Sequence, residues 1–144
     1  MCLLSKDKTY DPPMNMTKAR IGYKVFRLHN NGTVSNLYFN TGRKMKLGGG
    51  WRKAKAKLIG FGSKDGAYES GFHVLSTMSD AVTYTNGCLG DYVVCQVQCK
   101  NVTCEGLEYG GAKAFVCQNM KIDRIVLVSP TNMVLTKSGV SFTI

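Results

Sequence analysis

The residues of this 144-residue chain best suited to bind a ligand lie between Gly42 and Gly62. This stretch, GRKMKLGGGWRKAKAKLIGFG, has seven basic side chains, no acidic one and the only tryptophan of the chain. Lys and Arg bind polyanions by displacing counterions, and an exposed indole stacks on nucleic-acid bases. We therefore predict contact with an acidic partner through Arg43, Lys44, Lys46, Trp51, Arg52, Lys53, Lys55 and Lys57.

Two other interpretations of this basic stretch are a phosphate-binding loop and a guarded edge strand. Its glycines match neither the GxxxxGK[ST] nucleotide loop nor the GxGxxG dinucleotide fingerprint, so a phosphate loop is excluded. In its second half Lys53, Lys55 and Lys57 alternate with apolar residues, which favours a strand with one charged face, although a helix fits the same letters. Lysines also guard edge strands against unwanted pairing, so a guarded edge remains open beside partner binding.

The charge of the whole chain points the same way. Nineteen Lys and Arg against nine Asp and Glu give a net charge of +10. Such an excess favours nucleic acid, an acidic protein face or a phosphorylated ligand, and does not choose among them. A solvated basic surface without a polyanion target is the alternative.

Catalytic and metal-binding patterns are weak. No two carboxylates have a spacing that indicates paired acid and base groups. His29 is expected to face solvent at a hairpin end, whereas His73 either fills a core edge or points into a cleft. Cys95 and Cys99 lie four residues apart on a predicted strand, about 13 Å, which is too far for one metal ion. Neither a metal nor a cofactor is predicted, and the chain is expected not to be an enzyme.

Length and patterning predict a single domain. Residues 1–20 should form an irregular arm, because they show neither helical nor strand periodicity, and residues 21–144 the domain. The first hairpin should turn at Asn31 and Gly32 in a type I′ turn. No stretch of the sequence approaches the roughly 18 consecutive apolar residues of a membrane helix, so no membrane span is predicted. The first apolar run ends after Leu4, which is too early for a secretory signal.

The remaining elements follow from local signals. Thr77, three residues before Asp80, predicts the start of a short helix that ends near Asn86. Strands are predicted at GFHVLST, at DYVVCQVQC with Val93, Cys95, Val97 and Cys99 on one face, at AKAFVCQ, at a parallel-like or central RIVLV, and in a tail hairpin about residues 137–139. The fold class is therefore α+β: a strand-rich, mixed or antiparallel bent sheet of six to eight strands with one or two short helices.

The order of several short motifs resembles a group of tailed-phage proteins of uncharacterised function. The motifs are MCLLS, GYKVFR, ESGFHVLSTMSDA, YVVCQVQC and AKAFVCQNMKIDRIVLV. The same order is distantly similar to ADP-ribosyltransferase-like domains. In that superfamily the first strand supplies an Arg or His to NAD and a later strand supplies a catalytic Glu. The matching positions here are Tyr23 and Ala114, and neither can do that chemistry.

These observations lead to one functional prediction with two alternatives. The chain is predicted to be a non-catalytic phage accessory protein that acts in the host cytoplasm. Its basic face would bind an acidic host or viral protein, such as one of a host defence system, or nucleic acid. Tyr23, Arg27 and His73 would line a retained cleft. The alternatives are a divergent NAD-dependent enzyme using Glu105 or Glu108, and a decoration protein of the virion.

Overall fold

The structure of the protein is a computed structural model. It describes residues 3–14, 18–29, 31–36, 44–54, 58–59, 68–69, 71–86, 88, 91–129, 133–136 and 139–142. No helix within these residues is long and apolar enough to cross a membrane.

The described residues form twelve strands and one α-helix, α1 (Met78–Thr85). The strands are β1 (Ser5–Met14), β2 (Arg20–Leu28), β3 (Thr33–Asn36), β4 (Met45–Lys46), β5 (Arg52–Lys53), β6 (Leu58–Ile59), β7 (Tyr68–Glu69), β8 (Phe72–Leu75), β9 (Val93–Leu107), β10 (Lys113–Val128), β11 (Met133–Thr136) and β12 (Gly139–Phe142). The strand-rich α+β class is confirmed. The count exceeds the predicted six to eight because four strands have only two residues, too few to show an alternation.

The long hairpin β9–β10 organises the main sheet. The two strands pair antiparallel from Val93 with Val128 to Leu107 with Lys113. They are joined through the 3₁₀ turn Tyr109–Gly111, in which Gly110 and Gly111 have φ of 79° and 81°. RIVLV was predicted as a separate strand, parallel-like or central. Its separation from AKAFVCQ and the parallel alternative are wrong: both stretches belong to β10, and both run antiparallel to β9.

Four strands of the main sheet close into a circuit. On its side away from β10, β9 pairs first with β2 and then, nearer its end, with β1. On the opposite side of the hairpin, β10 pairs with β8 and with β5. The circuit is completed where Tyr23 of β2 pairs with Leu75 of β8. The sheet therefore has an enclosed inner face and an outer face.

Each face of the sheet carries a hydrophobic cluster. The predicted inward side of β9, with Val93, Cys95, Val97 and Cys99, is confirmed: these residues are fully buried together with Phe26 and Phe115. The second cluster lies on the outer face beneath α1, where Ala81 and Tyr84 of the helix pack with residues of the sheet: Val25, Leu75, Val94, Ala114 and Val116. Successive residues of one strand belong to different clusters, as strand geometry requires.

The N-terminal segment corrects a prediction. Within the stretch expected to be an irregular arm, β1 pairs with β9 from Ser5 with Leu107 to Met14 with Val102. The register shifts twice, between Lys6 and Lys8 and again between Thr9 and Met14, and such irregularity erases the strict alternation that reveals a strand.

The first hairpin forms where predicted but with a different turn. The amide of Gly32 donates to the carbonyl of His29 at 3.0 Å, and that of His29 donates to Thr33 at 2.9 Å. Gly32 has φ of 77°, whereas Asn31 has no positive φ. A type I′ turn requires a positive φ at both central residues, so a longer loop with one left-handed glycine replaces it.

The predicted helix and the tail hairpin are confirmed. Thr77 caps α1, since its hydroxyl accepts the Asp80 amide at 3.1 Å. Asp80 also connects the helix to the start of β10, because its carboxylate accepts a hydrogen bond from the backbone amide of Lys113 at 3.0 Å. The tail strands β11 and β12 pair antiparallel, with Leu135 opposite Val140.

Candidate functional site

Part of the predicted basic stretch runs along the open edge of β10. The amide of Gly48 donates to the carbonyl of Ile122 at 2.9 Å, and that of Ala54 donates to Gln118 at 2.8 Å. Between these two contacts, Arg52 and Lys53 form β5 and pair with β10. The segment is therefore held against the sheet by backbone hydrogen bonds.

This attachment places basic residues of three neighbouring strands in one region of the sheet. Lys53 pairs with Asn119, and Asn119 pairs with Lys100 of β9, so the three residues form one row across the sheet. The Lys100 ammonium lies 4.7 Å from the centroid of the Trp51 ring, a cation–π contact. Lys121 lies two residues beyond Asn119 on β10. We call Trp51, Lys53, Lys100 and Lys121 the basic strip.

The charges of the basic strip are available to a partner. Lys53 is exposed, Lys100 and Lys121 are half-buried, and the Trp51 side chain is 41% exposed to solvent. None of the three lysines forms a salt bridge with a carboxylate of the described residues. The nearby Asp123 carboxylate accepts instead from the Gln98 amide, at 2.9 and 3.1 Å.

The other predicted basic residues have different positions. Lys44 and Lys46 are exposed and lie at β4, which pairs with β3. There Lys44 borders an open groove of about 340 Å³ together with Leu28, His29 and Asn31. Arg43, Lys55 and Lys57 lie outside the described residues, so the three-lysine alternation stays a prediction.

Sequence reasoning missed Lys100 and Lys121. The alternation in DYVVCQVQC, continued by one residue, places Lys100 on the face opposite Cys99, and that signal was available. Their approach to Trp51 was not, because it depends on how β5, β10 and β9 are registered.

A second group of polar side chains is buried in the sheet: Lys24, His73 and Glu108, each 5% exposed or less. The Lys24 ammonium donates to the backbone carbonyl of His73 at 2.8 Å. The ring Nδ1 of His73 lies 3.2 Å from the carbonyl of Gly71. One carboxylate oxygen of Glu108, Oε1, has no hydrogen-bond partner among the described residues.

Burial shifts the pKa of each group in this buried triad towards its neutral form. Desolvation lowers the pKa of Lys24 to about 8, and the charge of Glu108 partly opposes that shift. Desolvation, with the neighbouring Lys24 charge, lowers the pKa of His73 to about 3. For Glu108, desolvation raises the pKa to about 7, while the charge of Lys24 acts in the other direction. Because all three are shielded from solvent, they present no reactive group at the surface.

The proposed cleft residues are spread over two strands. Tyr23 is half-buried against the cluster under α1, and His73 lies on the neighbouring strand β8. Arg27 is exposed further along β2, opposite Ser35 of β3. His29, expected to face solvent, is half-buried, and its Nε2 lies 2.8 Å from the Ser35 hydroxyl.

The two positions that match the ADP-ribosyltransferase pattern lie on either side of strand β8. Tyr23 and Ala114 pair with the same residue, Leu75, from the strands on either side of it. Ala114 is only 2% exposed, within the cluster covered by α1. Of the two acids considered as replacements, Glu105 forms a salt bridge with Arg20, and Glu108 belongs to the buried triad.

The described cysteines behave as core residues. Burial raises the pKa of the Cys95 thiol to about 12 and that of Cys104 to about 11. A hydrogen bond with Cys117, together with burial, raises the pKa of Cys99. Within the described part of the chain, no three His, Cys, Asp or Glu side chains are grouped to hold a metal ion.

Comparison with protein-family models, with curated proteins and with solved structures finds no match for this chain. The functional argument therefore depends on the residues and their geometry.

Proposed function

We propose that this chain is a non-catalytic binding protein whose basic strip contacts a polyanionic partner. The observation that carries the proposal is the contact between the Lys100 ammonium and the Trp51 ring, which is 41% exposed. Lys100 lies in the same row across the sheet as Lys53. An infected bacterial cytoplasm is the proposed setting, and it rests on the resemblance to tailed-phage proteins.

Three features support this proposal. The lysines of the strip lack carboxylate partners within the described residues, so a partner's anionic groups do not have to displace an existing salt bridge. The net charge of +10 attracts polyanions from a distance and accelerates encounter. The backbone pairing of β5 with β10 holds Lys53 in place, which lowers the entropy lost on binding.

The test compares the wild type with a K53E/K100E double variant against three labelled polyanions: poly-glutamate, heparin and a single-stranded oligonucleotide. We expect the wild type to bind at least one of them at low salt. The double variant should bind it at least about tenfold more weakly, since each reversal replaces attraction with repulsion.

K113E is the matched control for this experiment. Lys113 is exposed, lies on β10 six residues from Asn119, and its reversal makes the same change of charge. The control should bind nearly as well as the wild type. Failure of the wild type to bind all three polyanions, or equal losses in K113E and a single reversal such as K100E, would refute the proposal.

A further inference from the structure

We infer that the polyanion bound by the basic strip is a single-stranded nucleic acid, with a base stacked on Trp51 and phosphates at Lys53 and Lys100. This inference rests on the proposed function and names its partner class. It follows from the combination of groups in the strip and from the shape of the element that carries them.

The strip combines three kinds of group that a nucleotide uses. Trp51 offers aromatic surface for a base, and the Lys100 ammonium, 4.7 Å from the ring centroid, is close enough to pair with a phosphate linked to that base. Asn119, between Lys53 and Lys100, accepts from the amide of Asn101 at 2.6 Å through its oxygen. Its amide nitrogen has no acceptor among the described residues and can donate to a base edge or a sugar.

The shape of the strip disfavours a duplex. Recognition of a duplex in the major groove commonly uses a helix or a two-stranded ribbon. Helix α1 contains no Lys or Arg, and its inner side is packed on the sheet. The strip instead spans β5, β10 and β9, a face too broad to enter a groove, whereas the unstacked bases of a single strand can lie across it.

The same groups favour nucleic acid over an acidic protein. A carboxylate-bearing surface needs the lysines but gives the exposed indole no matching planar partner. Nucleic acid uses both, because every base has a stacking face and is linked to a phosphate.

Trp51 is the only tryptophan of the chain, so its fluorescence reports on this surface alone. The experiment titrates the full chain with a thymidine oligonucleotide of about 12 nucleotides, its duplex with the complementary strand, a uridine oligonucleotide of the same length, and poly-glutamate of equal charge. We expect both single strands to quench Trp51 and to bind at least about tenfold more tightly than the duplex or poly-glutamate.

Two variants separate stacking from charge, with anisotropy of a labelled oligonucleotide as readout. W51A should weaken binding of the single strand by about tenfold, a clearly larger loss than it causes for poly-glutamate, and W51F should recover most of the loss. Circular dichroism of each variant checks its fold.

Each outcome has a distinct meaning. Preferential binding of poly-glutamate or duplex, still lost in K53E/K100E, would overturn the single-strand inference and leave the proposed function intact. Absence of binding to every polyanion would overturn both. Tight single-strand binding without quenching, and with W51A equal to wild type, would also overturn the inference.

Discussion

Lys24 places an ammonium group in the interior of the sheet, where it donates to the backbone carbonyl of His73 at 2.8 Å. Burial removes the charged ammonium from water, and this desolvation lowers the pKa of Lys24 to about 8. The unfolded chain keeps this proton up to its ordinary pKa. Between pH 8 and 10.5 the unfolded state therefore binds more protons, and stability rises with pH there.

Replacing Lys24 by Met tests this pH dependence of stability. Met fills a similar volume without a charge, so the variant should lack the stabilisation that the wild type gains between pH 8 and 10.5. The free energy of unfolding of K24M minus that of wild type should be more positive at pH 7 than at pH 10, by up to about 3 kcal/mol. Urea denaturation at both pH values measures it. The same difference at pH 7 and pH 10 would contradict the assignment.

Below neutral pH, Glu108 and His73 change the stability of the fold with pH in opposite directions. The pKa of Glu108 is raised to about 7, so folding takes up a proton between pH 4.5 and 7, and stability falls as pH rises through that window. The pKa of His73 is lowered to about 3, so folding releases a proton between pH 3 and 6.5, and stability rises with pH there. In the wild type the two effects largely cancel between about pH 4.5 and 6.5.

An E108Q variant removes one side of this balance. Gln cannot ionise, so the variant should gain stability relative to wild type as pH rises from 5 to 8, by up to about 3 kcal/mol. Thermal unfolding followed by circular dichroism at pH 5 and pH 8 measures the change. A wild-type advantage that grows towards pH 8 would show that the Glu108 carboxylate is instead stabilised in the folded state.

At the scale of elements, Gly22 lies where β2 approaches β8 to complete the circuit of strands. A Cβ at this position would collide with Val74 Cγ1 and come 2.9 Å from Phe115 Cζ, and both of these side chains are fully buried. The close approach of β2 to the inner cluster therefore requires a residue without a side chain.

G22A should accordingly destabilise the fold by about 1–3 kcal/mol, because the inner cluster has to move to admit a methyl group. Gly50 provides a matched control: it is exposed, a Cβ there meets nothing within 4 Å, and its φ is not positive. G50A should change stability by no more than about 0.5 kcal/mol. Equal midpoints in urea for G22A and G50A would disprove the tight closure.

The elements also show which features of the fold the sequence could predict. The helix cap at Thr77, the tail hairpin and the inward face of β9 depend on neighbouring residues, and all three were predicted. The pairing of β1 with β9 and the meeting of Tyr23 with Leu75 join segments more than 50 residues apart, so local patterns do not contain them. For the same reason the contact between Trp51 and Lys100 could not be predicted: the basic stretch with its tryptophan was recognised, whereas the strip, which depends on strand pairing, was not.

At the scale of the whole molecule, part of the excess positive charge lies in one surface region, the basic strip. In the described residues, the strip on β5, β10 and β9 holds lysines without carboxylate partners, and it lies on the same outer face of the sheet on which α1 covers the second apolar cluster. If the proposed function is correct, a polyanion attracted by the net charge of +10 would bind at this strip.

The most direct test of this central claim is the salt dependence of binding to the oligonucleotide or other polyanion that binds most tightly. The slope of log affinity against log salt counts the ions released, so removing one contacting lysine should reduce its magnitude by about 0.7–0.9 for a nucleic acid. We predict such a reduction for K53Q and again for K100Q, with K113Q unchanged. Identical slopes for wild type, K53Q and K100Q would contradict the account.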